Sequence, residues 1–71
     1  MNLSEGITNK KYIIKEILID GTEKTRLQVM GILKGTRVII LNKRINGAMI
    51  IKIRGTRIGI DKMVANSIKT L

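Results

Sequence analysis

The chain has 71 residues, 44% of them hydrophobic, and fourteen Lys and Arg against five Asp and Glu give a formal net charge of +9. This length predicts one domain over residues 1–71, and the lack of Cys excludes a disulfide framework or a zinc knuckle. No apolar run approaches the roughly 18 residues of a membrane span, and the N-terminus lacks the pattern of a signal peptide, so we expect a cytoplasmic protein without direct membrane insertion.

The first predicted element is a strand over Tyr12–Ile19. Its apolar side chains would also fit one face of a helix, but four Ile in eight residues favour the strand.

A short helix is predicted next, over Thr22–Met30. Asp20 or Thr22 can accept its first free amide protons, and Glu23 follows Asp20 at the spacing of a capping box. Nine residues do not hold a helix alone in water, so we expect this one to pack on a sheet. Gly31 can take the left-handed conformation that ends a helix, and Gly35 is predicted to do the same for the following turn.

The second half of the chain predicts short strands joined by tight turns. The apolar run Thr36–Leu41 is typical of a strand buried on both faces, and Ile51–Arg54 alternates as a half-buried strand does. Between them, Asn42–Gly47 is predicted to be a hairpin loop with its turn at Asn46 and Gly47. A second turn is expected at Gly55 and Thr56, before a third strand around Ile58–Ile60.

The C-terminus predicts a helical turn capped by Asp61, which reaches Ala65, and then a closing strand over Ser67–Leu71. Five short strands, one short α-helix and a C-terminal helical turn describe a mainly β fold, a small and highly curved barrel.

Catalysis finds little support in this composition. The chain has no His and no Cys, and its five carboxylates show no pair with an evident mechanistic spacing. We therefore predict that the protein is not an enzyme and carries no cofactor. Fe(II) and its neighbours prefer imidazole with carboxylate, so we predict no dedicated metal site and at most weak transition-metal binding.

A basic surface is the clearest candidate for binding. It is predicted on turns and strand faces, from Lys34, Arg37, Lys43, Arg44, Lys52, Arg54 and Arg57. Such a surface attracts nucleic acid, anionic lipid headgroups or an acidic protein patch, or it simply keeps the domain soluble. Nucleic acid is the serious alternative, although Tyr12 is the only aromatic available to stack on a base. We therefore expect no specific nucleic-acid partner.

Several of these residues resemble the signature of the ferrous iron transport protein A family. Arg26-Leu27 is followed by Met30-Gly31-Ile32 and then by Gly35-Thr36 with Val38, at the intervals of the family's Arg-Leu, Met-Gly-Leu and Gly-x-x-Val. The C-terminal domain of the iron-dependent repressors is similar. That domain supplies a second alternative, a weak transition-metal-binding module.

The resemblance implies an SH3-like β-barrel that assists ferrous iron uptake in the cytoplasm. Its implied partner is the membrane ferrous iron transporter with a GTPase domain, which the chain would dock on and modulate. Exposed barrel edges also predict a weak homodimer.

A docking surface is predicted where the helix meets the barrel. Leu27 and Met30 have the spacing to line a groove beside the helix, with Ile32 just beyond the glycine hinge. The alternative is that Leu27 and Met30 belong wholly to the core.

Overall fold

The computed structural model describes residues 1–71 and contains five strands and two α-helices. In chain order these are β1 Lys11–Ile17, α1 Gly21–Val29, β2 Arg37–Lys43, β3 Met49–Ile53, β4 Thr56–Ile60, α2 Lys62–Ser67 and β5 Ile68–Thr70, preceded by a single 3-10 turn at Leu3–Glu5. The predicted mainly β fold of five strands, one short helix and a C-terminal helical turn is confirmed. The 3-10 turn was not predicted.

One antiparallel sheet contains all five strands, in the order β4-β3-β2-β1-β5. β1 pairs with two different strands. Its first residues, Lys11–Ile13, pair with β2, and the segment from Ile14 to Ile17 pairs with β5. The register shifts between Ile14 and Glu16, and a second shift interrupts β2 between Ile40 and Asn42. Because bulges bend a strand and increase its twist, these two irregularities curve the sheet around its own apolar face.

Much of the core comes from strand residues, because buried and exposed side chains alternate along β1, β2 and β3. Fourteen apolar residues are buried, seven of them Ile of the strands or of the loop that follows α1, and Tyr12 is the one aromatic among them. The Tyr12 hydroxyl accepts a hydrogen bond from the backbone N–H of Ile7 at 2.7 Å, which satisfies its polar end. β2 departs from the prediction: Val38 and Ile40 are buried, but Ile39 and Leu41 remain partly exposed, so only one face of this strand is core.

Asp20 is the N-cap residue of α1, but the predicted capping box is wrong. The Asp20 side chain makes no capping hydrogen bond, and Glu23 instead forms an ion pair with Arg26, with Oε2 and Nη1 3.5 Å apart. A carboxylate that pairs one turn further along the helix does not reach back to the cap. The cap predicted for α2 is confirmed, since the Asp61 carboxylate accepts from the Val64 N–H at 2.9 Å.

Glycines fix the predicted turns. Gly31, Gly35, Gly47 and Gly55 all have a positive φ, between +81° and +90°. At the β3–β4 hairpin the turn lies one residue earlier than predicted, at Arg54 and Gly55. Both residues have a positive φ, as a two-residue type I′ turn requires.

Candidate functional site

The stretch MGILKG closes α1 with a Schellman motif. The Gly31 N–H donates to the Gln28 carbonyl at 3.0 Å, and the Ile32 N–H donates to the Leu27 carbonyl at 2.9 Å. These are the two bonds that define the motif, which commonly brings together the two side chains at its ends, here Leu27 and Ile32. Both side chains lie in the core, at 2% and 0% exposure.

This motif decides where the predicted docking residues lie. Leu27 and Ile32 are buried, which favours the alternative that Leu27 belongs to the core, and Met30 is 38% exposed. The three residues therefore do not form one open groove. Because the motif turns Leu27 and Ile32 inward together, only Met30 presents a substantial surface to a partner.

The loop between α1 and β2 is pinned against β1. The Gly35 N–H donates to the Ile14 carbonyl at 2.7 Å, and the Ile14 N–H donates to the Thr36 carbonyl at 3.0 Å. This pair of bonds holds the loop beside the second half of β1, with α1 on the other side. The space left between the three segments is the candidate site.

We call this space the lysine cleft, a half-open cavity of about 590 Å³. It is lined by Lys15, Glu16 and Ile17 of β1, Lys24 and Gln28 of α1, and Ile32, Leu33 and Lys34 of the loop. Its volume lies within the range of small-molecule or side-chain binding pockets. Of these residues, only Ile32 and Lys34 belonged to the sequence-based predictions.

Charge in the lysine cleft is unbalanced. The only ion pair of the molecule joins Arg26 to Glu23, so none of the three cleft lysines has a carboxylate within ion-pairing distance. Glu16 is the single acid of the lining. Three free ammonium groups above an apolar floor suit a ligand that carries carboxylates or phosphates next to aliphatic groups.

The predicted basic surface is exposed throughout, but the fold divides it. Lys34, Arg37 and Arg54 line one cleft below the α1–β2 loop, and Lys43 and Arg44 line another at the β2–β3 hairpin. Lys52 and Arg57 lie opposite each other on β3 and β4. The sequence identified the cations but not this division, nor the grouping of Lys15 and Lys24 with Lys34.

Two further observations bear on the other predictions. No three carboxylates lie close enough together to hold a metal ion. None of the helices has the length and apolar character needed to cross a membrane.

Comparison with known proteins gives a family match and several structural neighbours. Residues 1–70 match the family described as the FeoA domain. Iron(II) transport protein A from Clostridium thermocellum is 25% identical with a TM-score of 0.91, covering 99% of this chain but only 44% of that one. The crystal structure of an iron uptake regulatory protein, FeoA, is 28% identical with a TM-score of 0.87, covering 99% and 92%. No curated protein sequence matches the chain.

A third structural neighbour is described as an SH3 domain protein, which is the fold predicted from the sequence. FeoA from Stenotrophomonas maltophilia, complexed with zinc and described as a prokaryotic SH3 domain protein, is 20% identical with a TM-score of 0.81. The match covers 99% of this chain and 88% of that one. At this identity the likeness concerns the fold alone, and it confirms the SH3-like architecture.

Proposed function

Because the chain belongs to the FeoA family and is thus a protein of iron uptake, we propose that it is a non-enzymatic accessory protein that docks on the membrane ferrous iron transporter with a GTPase domain. The observation that supports this proposal best is the family match over residues 1–70. The absence of His and Cys from the sequence is consistent with a binding role. The protein acts at the cytoplasmic side, where a GTPase domain has access to nucleotide.

The lysine cleft is the proposed contact on this chain. Its ammonium groups at Lys15, Lys24 and Lys34 pair with carboxylates of an acidic segment of the transporter, and its apolar floor takes a neighbouring aliphatic side chain. Of the docking residues predicted from the sequence, Ile32 lies buried beneath this floor, and the half-buried Ile17 and Leu33 supply its accessible part. Met30 does not line the cleft, and its part in docking stays a prediction.

Co-purification tests the proposal. The double variant Lys24→Glu with Lys34→Glu should lose association with the transporter, because two of the three cleft cations become anions. The matched control, Arg44→Glu with Lys62→Glu, changes the net charge equally but at residues that line a separate cleft. It should co-purify with the transporter as the unmodified chain does.

Membranes from iron-starved cells are the source of the transporter, and the melting temperature of each variant confirms that it is folded. If the lysine-cleft variant binds like the control, the cleft is not the docking site. If the unmodified chain does not co-purify with the transporter at all, the proposed function itself is wrong.

A further inference from the structure

The outward face of the sheet carries a row of side chains that crosses four strands. Lys11 of β1 pairs with Ile39 of β2, Ile39 pairs with Lys52 of β3, and Lys52 pairs with Arg57 of β4. Directly paired residues of adjacent strands point to the same side of a sheet, so these four side chains form one continuous line. Three of the four are cations, and the fourth is aliphatic.

A second row lies beside the first. Ile13 of β1 pairs with Arg37 of β2, and Arg54 follows at the β3–β4 turn, where it lines a cleft together with Arg37. We call the two rows together the cationic sheet face. Its members are Lys11, Ile13, Arg37, Ile39, Lys52, Arg54 and Arg57.

No Asp or Glu side chain lies on the cationic sheet face. The five acids of the chain are found in the first 3-10 turn, beyond the bulge of β1, at the start of α1 and at the cap of α2. They are Glu5, Glu16, Asp20, Glu23 and Asp61. The face therefore presents five cations without a compensating charge, and its potential is fully available to an anionic partner.

The pairing of Lys52 with Arg57 is unfavourable for folding alone. Like charges placed directly opposite on neighbouring strands repel each other, and a carboxylate at either position would remove that repulsion. An arrangement that violates a local rule without a compensating contact in the chain points to a requirement outside the chain.

At one edge of the face the cations surround aliphatic groups. Lys10, Lys11 and Arg37 line a cavity of about 350 Å³ together with Ile13, Tyr12 and Leu71. Ile13 is 38% exposed and Leu71 is 77% exposed. Cations next to exposed aliphatic side chains match the order of groups in a phospholipid, where the phosphodiester adjoins the glycerol and the acyl chains.

We propose that the cationic sheet face adsorbs to the anionic phospholipid headgroups of a bilayer. The cations contact the phosphodiesters, and Ile13, Ile39 and Leu71 rest at the boundary with the acyl chains while the barrel stays outside the membrane. This proposal concerns lipid alone and does not rest on docking to the transporter.

Nucleic acid is the less suitable occupant of the same face. Single-strand binders stack bases on aromatic side chains, and the only aromatic, Tyr12, is buried with its hydroxyl already bonded to Ile7. The phosphates of a duplex would use the cations but leave the aliphatic side chains without a contact. A bilayer uses both.

Vesicle co-sedimentation at physiological salt tests the proposal. The unmodified chain should pellet with vesicles that are about a quarter phosphatidylglycerol and otherwise phosphatidylcholine, and not with pure phosphatidylcholine vesicles. Lys52→Glu should lower the partition coefficient at least about tenfold, because each cation near an anionic surface contributes about fivefold. The same variant should melt at a higher temperature, since it forms a cross-strand ion pair with Arg57.

Arg44→Glu is the matched control, because it changes the net charge equally on the β2–β3 hairpin, away from the cationic sheet face. It should retain most of the vesicle binding, since charges beyond about 8 Å are largely screened at this salt concentration. Arg57→Glu repeats the test from the neighbouring strand should Lys52→Glu fail to fold.

Three results would overturn the proposal. The first is an unmodified chain that does not pellet with the anionic vesicles. The second is an equal loss for Lys52→Glu and Arg44→Glu, which would mean that total charge alone decides binding. The third is release of the chain from the vesicles by duplex DNA at an equal phosphate concentration, which would make nucleic acid the occupant.

Discussion

Gly31 shows how much a single residue can determine in this fold. Its φ of +90° lets the chain leave α1 with both Schellman hydrogen bonds intact, and it is followed at once by Ile32, which enters the core. A side chain at this position has room, because the nearest atom to an added Cβ is the Ile53 Cγ2 at 3.7 Å. The requirement for glycine is therefore one of backbone conformation and not of space.

Replacing this glycine tests that distinction. Gly31→Ala should lower the free energy of unfolding by about 1–2 kcal/mol, the cost of the left-handed conformation for an L-residue. Gly59→Ala is the control, since Gly59 lies in β4 with an ordinary φ and nothing within 4 Å of an added Cβ. It should be neutral or slightly stabilising. Urea unfolding of both variants gives the comparison, and equal losses would contradict the conformational explanation.

The two helix caps provide a second test at the residue scale. Asp61 and Asp20 occupy equivalent positions, but only the Asp61 side chain accepts a hydrogen bond from its helix. Asp61→Ala should therefore cost about 1 kcal/mol of stability, whereas Asp20→Ala should cost only a few tenths through the helix dipole. Thermal melts of the two variants measure the difference. A loss at Asp20 as large as that at Asp61 would mean that the Asp20 side chain does cap α1.

At the scale of elements, α1 depends on the sheet for its stability. The helix has nine residues and buries a single side chain, Leu27. A helix this short is marginal in water. Its stability therefore depends on the burial of Leu27 and on the hydrogen bonds of the Schellman motif. The same contact places Lys24 and Gln28 beside β1, and the stability of α1 therefore determines whether the lysine cleft exists.

Truncating that contact should be costly. Leu27→Ala should lower the free energy of unfolding by about 2–5 kcal/mol, a large share of the stability of a domain of this size. Val29→Ala is the control on the same helix, because Val29 is 83% exposed and alanine is the better helix former. Circular dichroism during urea unfolding compares them. A Leu27→Ala chain as stable as the control would remove Leu27 from the core and restore it to the predicted docking surface.

For the whole molecule, charge opposes the compact state. The chain carries a net charge of +9 and forms a single ion pair, so most of its cations repel one another without compensation. Screening by added salt reduces this repulsion more in the compact state than in the expanded one, where the charges lie farther apart. Part of this excess charge lies on the two proposed binding surfaces, the lysine cleft and the cationic sheet face.

Salt should therefore stabilise the protein. The melting temperature should rise as sodium chloride increases from about 10 mM to about 0.2 M, a range over which the Debye length falls from about 30 Å to below 10 Å. Lys52→Glu lowers the net charge by two and should show a smaller rise. Differential scanning calorimetry at several salt concentrations measures both slopes, and a melting temperature that falls with salt would show that net repulsion does not limit stability.

The sequence by itself determined the local structure. Glycines at Gly31, Gly35 and Gly47 fixed turns because only a residue without a Cβ takes a positive φ at little cost, and Asp61 fixed the start of α2 through its own carboxylate. The alternation of apolar and charged residues in β3 correctly predicted which of its side chains face the core. These features depend on sterics and hydrogen bonds between residues a few positions apart, which a linear pattern records.

Only the tertiary structure decided the surfaces. The bulge at Ile14 and Glu16 divides β1 between two neighbours, and the register of four strands aligns Lys11, Lys52 and Arg57 in one row. The lysine cleft likewise joins residues from β1, α1 and the loop after it. Which side chains meet across strands depends on long-range register and curvature, and these follow from packing of the whole core and not from any local segment.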